Sequence, residues 1–376
     1  MLHLAILANA ANYHMRRWLP ALAARGMRVS LLSFVEPSVP IPDVDFHLIE
    51  RPTRRFARHS LADFLLGGAS ARKLLKKLSP DILMGSYATN YGFLGARTRF
   101  RPFVLQTWTA DVQLYPKNGW RRHVLGPMVR HAMSSADLIT TDGPALREVV
   151  VEAYPDCEAR TESILWGIEL EHYLGLSNLR KQVRSRLGIP DDAVAITCAR
   201  GLRFHDRPEI SLPALLEVLD ANDSVFGIVL TLGHVPDERA SPSLEALRAH
   251  ARCLVVDRFL DSSAVSDIWS ASDFVVSIPL FDGISETLLE AMAAGCIPIL
   301  SDIPPNRIIV PDSENAIFTR ADSAQALAAD IRMSLEQLDR LKETAVPANR
   351  KWVRENASIE NAAGRLTDLL KRLVEK

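Results

Sequence analysis

Residues 272–306, with the sequence SDFVVSIPLFDGISETLLEAMAAGCIPILSDIPPN, carry the pattern that decides the fold. The apolar run Phe274–Ile278 predicts a buried strand, and a helix is predicted from about Ser285 until Gly295 ends it. The next apolar run, 297–300, predicts a second strand. A strand, a helix and another strand in direct succession favour two parallel strands joined by a helical crossover.

The same alternation of short apolar runs and amphipathic stretches extends over the whole chain. Further strands are predicted at Leu2–Leu7, Met27–Phe34, Asp45–Ile49, Asp81–Gly85, Pro102–Thr107, Asp137–Thr141, Ala193–Cys198, Phe226–Leu232 and Cys253–Val256. Helices are predicted at Met15–Arg25, which Gly26 ends, and at Leu61–Leu78. Two successive sets of such units predict an α/β protein with two doubly wound, Rossmann-like domains.

The expected domain limits follow from the point where the second set of units starts. Residues 1–168 are predicted to form the first domain and residues 169–355 the second. Residues 356–376 are amphipathic and are expected to form a C-terminal helix that packs back toward the first domain. A chain of 376 residues with 48% hydrophobic and 24% charged residues suits two globular cores.

The distribution of charge and the use of cysteine indicate which partners and which cellular compartment to expect. Residues 1–168 carry 21 Lys and Arg against 14 Asp and Glu, whereas the rest of the chain carries 23 against 31. The basic first half is therefore expected to meet an anionic surface or substrate. The four scattered cysteines, the lack of a signal-peptide pattern and the lack of a run of about 18 apolar residues predict a cytoplasmic protein. Peripheral attachment to the inner face of the membrane stays open.

The loop 279–284 and the helix after it form the candidate ligand site. A loop at the carboxyl end of a parallel strand presents backbone amides and the positive end of the helix dipole, which suit a diphosphate. Glu290 stands in an otherwise apolar stretch of that helix. A carboxylate there needs a polar partner, and the two hydroxyls of a ribose would supply one.

Residues 282–298, DGISETLLEAMAAGCIP, resemble the donor-site signature of the GT4 family of retaining glycosyltransferases, which have the GT-B fold. That fold consists of two Rossmann-like domains facing across a cleft. The family carries two glutamates eight positions apart, and the corresponding residues here are Asp282 and Glu290. The aspartate followed by Gly-x-Ser is similar to a recurring subgroup. The resemblance implies an N-terminal domain for the acceptor and a C-terminal domain for the nucleotide-sugar donor.

The same resemblance implies a role for each residue of the signature. Glu290 would bind the ribose of the nucleotide, and Asp282 would hold hydroxyls of the donor sugar near the reaction. Backbone amides would cradle the diphosphate or the sugar, namely those of Gly283, Ile284, Ser285 and Glu286. Asp302 and Asn306 resemble the tail of the motif.

A second match, TCARGL at residues 197–202, follows a predicted strand. The family has an arginine here and a lysine a few residues later, and both bind the donor diphosphate, whose developing charge needs cations. Arg200 matches the arginine, with a catalytic and donor-binding role, but the lysine is absent. Arg203, His205 and Arg207 are the possible substitutes. Arg207 is preferred because Pro208 indicates a helix start beside it, although these side chains also fit a solvated loop.

The first half resembles the family more loosely. Residues 9–18, NAANYHMRRW, are similar to a recurring stretch after the first strand, and they make Asn12 and His14 acceptor-side candidates. Tyr87, at the end of another predicted strand, is a third candidate. Residues 106–112, QTWTADV, resemble the family's Trp-Gly-Ser-Asp-Val, which makes Asp111 a candidate catalytic residue near the reacting sugar. The alternatives are that His14 is a capping or surface residue and that Asp111 caps a turn.

Basic residues interleaved with apolar ones recur in the first half. They are Arg51, Arg54, Arg55, Arg58, Arg72, Lys73, Lys76, Lys77, Arg121 and Arg122, with Phe56, Leu61, Phe64, Leu65 and Trp120 among them. Such a surface fits an anionic membrane and a lipid-linked acceptor, and it equally fits a solvated helix face. Nucleic acid is not expected as a partner.

These patterns lead to one main hypothesis and two alternatives. The main hypothesis is a retaining glycosyltransferase that moves a sugar from a UDP-sugar, or less favourably a GDP-sugar, to an acceptor hydroxyl in bacterial polysaccharide, lipopolysaccharide or glycolipid synthesis. The alternatives are a nucleotide-sugar epimerase of the same fold and a non-catalytic nucleotide-sugar-binding partner. No cofactor and no metal site are expected, because histidines lack ligand spacing and the formal Asp-x-Asp at 43–45 lies outside the donor half.

Overall fold

The computed structural model describes residues 1–53, 60–114, 119, 122–235 and 238–375. The chain divides into two compact units. Unit 1 comprises Met1–Trp166 together with Ile359–Lys376, and unit 2 comprises Gly167–Ser358. The sequence predicts domain limits after residues 168 and 355, and the chain passes from one unit to the other after residues 166 and 358.

The secondary-structure elements follow one another in regular α/β alternation. Unit 1 begins with β1 His3–Leu7, α1 Tyr13–Ala24, β2 Arg28–Ser33, β3 Val44–Leu48, α2 Leu61–Leu66, α3 Gly68–Leu78, β4 Ile82–Ser86, α4 Gly92–Thr98, β5 Phe103–Gln106, α5 Arg122–Ser135, β6 Leu138–Thr141, α6 Pro144–Ala153 and β7 Thr161–Ser163. Unit 2 contains α7 Leu170–Leu174, α8 Arg180–Leu187, β8 Val194–Cys198, α9 Pro208–Ala221, β9 Val225–Leu230, α10 Ser241–Ala249, β10 Cys253–Val256, α11 Ser262–Ala271, β11 Phe274–Ser277, α12 Glu286–Ala294, β12 Ile297–Ser301, α13 Pro304–Ile309, β13 Ile317–Thr319, α14 Ala324–Glu336 and α15 Leu338–Asn356. The last helix, α16 Ile359–Val374, belongs to unit 1 and packs against α1.

Each unit is built on one sheet of parallel strands. In the described part of unit 1 the strand order is β3-β2-β1-β4-β5-β6-β7, and in that of unit 2 it is β10-β9-β8-β11-β12-β13. The order reverses between β1 and β4 and again between β8 and β11, where Val276 pairs with Cys198. Loops that leave the carboxyl ends of such neighbouring strands diverge and form a crevice in which α/β proteins bind ligands. The predicted α/β class is confirmed.

Continuous burial explains why the central strands of the two sheets are mainly apolar. All residues of β1, β4, β5 and β9 are buried, since helices cover both faces of each sheet. In unit 1, α16 lies on α1 and places Leu366 and Leu370 in the same apolar cluster as Trp18. No helix in the described part of the chain is long and apolar enough to cross a bilayer.

The helix predicted at Leu61–Leu78 is two helices, because Gly67 interrupts it. A Cβ atom on Gly67 would lie 2.8 Å from Cζ of Phe34, so no larger residue fits there without a shift. The Gly67 amide donates to the Asp63 carbonyl and ends α2. The buried Asp63 carboxylate accepts from the Ser60 amide at 2.8 Å and fixes the start of the same short helix.

Candidate functional site

Helix α12 begins and ends at the residues predicted from the sequence. Ser285 is the N-cap, and its Oγ accepts a hydrogen bond from the Leu288 amide at 3.3 Å. Gly295 ends the helix with φ +105°, a conformation that favours glycine. Arg350 Nε and Nη2 donate to the carbonyls of Ala293 and Ala294 at 3.0 and 2.6 Å. The carbonyl end of α12 is thus satisfied within unit 2.

The loop before α12 leaves some of the predicted amides available. The amides of Ile284 and Ser285 make no hydrogen bond within the part of the chain that the structure describes. The Gly283 amide differs from the prediction, because it donates to Oδ1 of Asp282 at 2.9 Å and is engaged inside the loop. Glu286, half-buried at the first helical position, keeps an interaction with its surroundings. Amides without partners next to a helix N terminus attract an anion.

Arg200 joins the two loops that leave β8 and β11. Its Nη1 donates to Oδ2 of Asp282 at 2.7 Å and to Oγ of Ser285 at 3.2 Å. Its Nε donates to Oδ1 of Asp206 at 3.1 Å. Burial lowers the pKa of Arg200, but the carboxylates of Asp282 and Asp206 raise it more, so the net shift is upward. The structure therefore brings Arg200, Asp282 and Ser285 together around a permanent positive charge.

Asp206 is a residue of this site that the sequence did not reveal. It is 1% exposed, and besides Arg200 it accepts from Nε of Arg203 at 3.1 Å. Gly201 lets it approach, because a Cβ there would lie 3.2 Å from Oδ2 of Asp206 and 2.7 Å from Nδ1 of His234. A buried carboxylate between two guanidinium groups fixes their direction. The only sequence signal was an acidic residue within an arginine-rich loop.

The three possible substitutes for the missing lysine differ in their contacts. Arg207, the preferred residue, donates from Nη2 to the Ala321 carbonyl at 2.7 Å and is thus engaged within unit 2. Burial is the main cause that lowers the pKa of His205, which leaves it neutral at pH 7, and its ring stacks on Phe281 at 5.2 Å. Arg203 keeps 53% of its side chain exposed beside Asp206. As a substitute for the missing lysine, Arg203 is therefore favoured over Arg207 and His205 by its exposure and contacts.

Glu290 lies in the middle of α12 and on the same helix face as Glu286, four residues earlier. Glu290 is 5% exposed, and its neighbours Leu288, Leu289 and Ala291 are fully buried. The carboxylate is not left without an interaction. It is buried in unit 2 but not sealed from solvent.

Asp302 and Asn306 are held by residues of their own segment. Asp302 accepts from Nε of Arg307 at 2.7 Å and of Arg320 at 2.9 Å, and these hydrogen bonds lower its pKa to about 2. Nδ2 of Asn306 donates to the Ser301 carbonyl at 2.8 Å. These three hydrogen bonds order the turn after β12.

The acceptor-side candidates lie after β1 and β4 in unit 1. Asn12 caps α1, since its Oδ1 accepts from the His14 amide at 3.0 Å. The His14 ring centroid lies 4.9 Å from that of Trp108. Tyr87 opens a π-helical turn, Tyr87–Tyr91, and stacks on Trp108 with 5.4 Å between centroids and 13° between planes. His14 and Tyr87 thus both contact the Trp108 indole ring, whereas the Asn12 side chain caps α1.

Asp111 differs from its predicted role. It lies in a second π-helical turn, Ala110–Leu114, is 0% exposed, and accepts from the amides of Trp108, at 2.9 Å, and Ala88. Burial raises its pKa to about 7, although these backbone hydrogen bonds act in the opposite direction. A carboxyl group without exposed surface does not touch a sugar. We therefore replace the catalytic assignment of Asp111 by a positioning role, in which it holds two loops.

Both halves of the chain match models of glycosyltransferase families. Residues 3–143 match the family described as glycosyl transferase 4-like. Residues 203–337 match the family described as glycosyl transferases group 1. One match falls in each unit, so the chain resembles glycosyltransferases in both units, and it has the GT-B fold.

Two relatives from Bacillus subtilis (strain 168) resemble parts of this chain. TuaC, described as a teichuronic acid biosynthesis glycosyltransferase, is 25% identical over 271 residues, which are 70% of this chain and 64% of the relative. YtcC, described as a glycosyltransferase, is 22% identical over 176 residues, which are 44% of this chain and 43% of the relative. This chain therefore spans less than two thirds of the length of either relative.

Solved structures share the fold of this chain at low sequence identity. Sucrose-phosphate synthase from Thermosynechococcus elongatus has a TM-score of 0.81 and 16% identity, with 99% of each chain covered. Anabaena HepE in complex with UDP-glucose has a TM-score of 0.79 and 14% identity, with 99% of this chain and 100% of that chain covered. The predicted GT-B class with two Rossmann-like domains is confirmed.

The basic surface predicted in the first half of the chain is described only in part. Arg54, Arg55, Phe56, Arg58, Trp120 and Arg121 lie outside the described residues. Arg51 is engaged, because its Nε donates to Oδ2 of the buried Asp63 at 3.3 Å. The described basic residues with exposed side chains are Arg72, Lys73, Lys76, Lys77 and Arg122.

Proposed function

We propose that this chain transfers a sugar from a nucleotide-sugar to an acceptor hydroxyl, with retention of configuration at the anomeric carbon. A UDP-sugar is the proposed donor in preference to a GDP-sugar, supported by the crystals of HepE that contain UDP or UDP-glucose. Bacterial polysaccharide, lipopolysaccharide or glycolipid synthesis is the proposed setting, supported by the description of TuaC. The Asp-Gly-x-Ser form of the donor motif supports the retaining subgroup.

The position of Arg200 is the observation that carries the proposal. Its guanidinium lies at the carboxyl end of β8 and contacts the N-cap of α12 through Ser285 Oγ at 3.2 Å. The amides of Ile284 and Ser285 have no partner among the described residues. A fixed cation, two such amides and a helix N terminus together stabilise a diphosphate and the charge that it gains on leaving.

Each remaining residue of the site has a proposed part in donor binding. Glu290 accepts hydrogen bonds from the ribose hydroxyls, and Asp282 accepts from hydroxyls of the donor sugar. Arg203 is the second cation at the diphosphate, and the Glu286 amide completes the set of donors that begins with Ile284. These charges come from the chain itself, so the proposal needs no metal ion and no cofactor.

The proposed reaction needs no strong base from the protein. The bond between the anomeric carbon and the phosphate oxygen breaks, and its electron pair leaves with the nucleoside diphosphate. The acceptor oxygen bonds to the anomeric carbon on the same face, and its proton passes to an oxygen of the leaving phosphate. Arg200 stabilises the developing negative charge, while exclusion of water prevents hydrolysis of the donor.

Glu290→Ala tests the assignment of the donor site. The two ribose hydrogen bonds to a carboxylate are worth roughly 1.5 kcal/mol or more each, so kcat/KM for release of UDP or GDP from a panel of nucleotide-sugars should fall by about 10²-fold or more. Glu217→Gln is the matched control, because Glu217 lies on the outer face of α9 and pairs with Arg332 at 2.9 Å. Unchanged turnover in Glu290→Ala would remove the donor-site assignment.

Nucleotide release, analysis of the sugar product and the melting temperature together separate the two alternative functions. An epimerase converts a nucleotide-sugar to its epimer and releases no free nucleotide. A non-catalytic partner binds the nucleotide and raises the melting temperature without consuming any donor. Either result in the wild-type protein would replace the transfer proposal.

A lipid-linked acceptor at the inner face of a membrane completes the proposal. Helix α2 exposes apolar side chains, namely Leu61, Leu65 and Leu66, at 37%, 36% and 63%. Helix α3 follows directly and exposes Arg72, Lys73, Lys76 and Lys77. Adjacent exposed leucines and cations are the combination that binds an anionic lipid surface.

A further inference from the structure

The donor loop, residues 279–284, starts where strand β11 leaves the sheet of unit 2. The pairing of β11 with β12 ends at Ser277, which lies opposite Leu300. Strand β12 continues for one more residue, because Ser301 still pairs with Thr319 of β13. Ser301 is therefore held in the sheet at the point where the neighbouring strand has already ended.

The side chain of Ser301 continues the connection between the two segments. Its Oγ donates to the Pro279 carbonyl at 2.9 Å, and both residues are buried. No backbone amide among the described residues donates to that carbonyl. A buried carbonyl without a donor costs free energy, so it is normally paired. The Ser301 hydroxyl thus attaches the first residue of the donor loop to the end of β12.

Asn306 directs the hydroxyl group of Ser301. Its Nδ2 donates to the Ser301 carbonyl at 2.8 Å and to the Ser301 Oγ at 3.3 Å. Because the Oγ accepts this hydrogen bond, its own proton is left to point at the Pro279 carbonyl. Asn306 is 2% exposed and Ser301 is 5% exposed, so solvent has little access to these groups.

The other neighbour of β11 holds the next residue of the donor loop. The Leu280 amide donates to the His205 carbonyl at 2.8 Å, and His205 lies in the loop after β8. Farther along the donor loop, Asp282 accepts from Arg200 at 2.7 Å. The donor loop is therefore attached on both sides before it reaches the N terminus of α12, where the amides without described partners lie.

We propose that Ser301, directed by Asn306, is a positioning residue that sets where the donor loop presents its amides to the diphosphate. The proposal rests on the sugar-transfer function proposed above. An amide stabilises a phosphate only at hydrogen-bond distance, so a shift of the donor loop by about 1 Å weakens the contact strongly. Both residues act through the Pro279 carbonyl and not by contact with the donor.

Isothermal titration calorimetry with UDP and UMP measures what the terminal phosphate contributes to binding, and GDP with GMP serves if the wild type prefers guanine nucleotides. We expect the wild type to bind the diphosphate more tightly than the monophosphate. Ser301→Ala should reduce the ratio of the two dissociation constants about tenfold, the effect of one hydrogen bond to a charged group. Asn306→Ala should reduce it as well. The matched control is Ser270→Ala, which removes a buried hydrogen bond to the Asp267 carbonyl within α11 and should leave the ratio unchanged.

The ratio separates positioning from a merely structural role. A general loss of stability lowers the melting temperature and the fraction of folded protein, but it does not favour one nucleotide over the other. An unchanged ratio in both Ser301→Ala and Asn306→Ala would overturn the proposal.

Amide hydrogen exchange keeps the test independent of the donor assignment. Peptides that cover residues 280–285 should exchange faster in Ser301→Ala than in the wild type or in Ser270→Ala, because the donor loop has lost one attachment. Equal exchange in all three proteins would overturn the proposal as well. A wild-type protein that binds no nucleotide, together with faster exchange in Ser301→Ala, would support the attachment of the loop and contradict the proposed donor site.

Discussion

Asp111→Asn should change how the stability of unit 1 depends on pH. Burial raises the pKa of Asp111 to about 7, whereas the ordinary pKa of an aspartate, as in the unfolded chain, is 3.8. Between these values the unfolded chain has lost the proton and the folded chain retains it, so rising pH favours unfolding. The contribution is fully present below about pH 3.8 and is lost as pH rises through about 7. At about 1.4 kcal/mol per pKa unit, the full loss is about 4 kcal/mol.

Asparagine cannot titrate, so the variant lacks this pH-dependent loss. It also cannot accept hydrogen bonds from both Ala88 and Trp108, because only one of its terminal atoms is an acceptor. That defect costs roughly 1–3 kcal/mol at every pH. We therefore expect Asp111→Asn to be the less stable protein near pH 4.5 and the more stable one above about pH 7.

Urea denaturation at 25 °C between pH 4.5 and pH 8 measures this difference. Tryptophan fluorescence is a suitable signal, because Trp18, Trp108 and Trp166 lie in unit 1 and Asp111 directly contacts the Trp108 amide. All other titrating groups are common to both proteins and cancel in the difference between their free energies of unfolding. A difference that stays constant over this pH range would refute the reasoning, since it would mean that the folded state does not hold the proton.

Two further predictions concern cations. Arg203→Ala should raise KM for the nucleotide-sugar about tenfold. Arg207→Ala should lower the melting temperature with little change in KM, because Arg207 donates to the Ala321 carbonyl. The opposite pattern would restore Arg207 as the second phosphate ligand. Replacing Arg72, Lys73 and Lys76 by Glu should abolish cosedimentation with vesicles that contain anionic lipid, because each cation near such a surface contributes about 1 kcal/mol to the binding free energy. Nucleotide binding should stay intact. Retained cosedimentation would contradict the membrane-binding role and would mean that these residues form a solvated helix face.

Most strands could be predicted because burial on both sides makes them continuously apolar. The run predicted at Ala193–Cys198, observed as β8, and its neighbours differ clearly from the polar loops around them. Two strands escaped, β7 with the sequence TES and β13 with the sequence IFT, because three residues carry too little pattern. Both take their strand conformation from pairing with β6 and β12. Their strand conformation therefore depends on their neighbours in the sheet and not on their own three residues.

The candidate site was predictable where chemistry is local. Ser285 and Gly295 mark the ends of α12 through capping rules that act over a few residues. The partners of Arg200 are different, because Asp282 is distant in sequence and meets it only through the pairing of β8 with β11. The positive φ of Tyr87 likewise depends on Asp111, which follows the next strand. Contacts set by strand register leave no periodic trace in the sequence.

The two carboxylates on Arg200 would serve different purposes under the proposed function. Asp206 is 1% exposed and lies between the guanidinium groups of Arg200 and Arg203, so it cannot move to solvent without losing hydrogen bonds to both. The Asp282 side chain is 20% exposed and can exchange partners with little loss of burial. When a diphosphate approaches Arg200, its negative charge competes with Asp282 for Nη1, and the released Asp282 becomes available to sugar hydroxyls. Asp206 holds the guanidinium in place during that exchange, so the ion pair with Asp282 couples binding of the diphosphate to capture of the sugar.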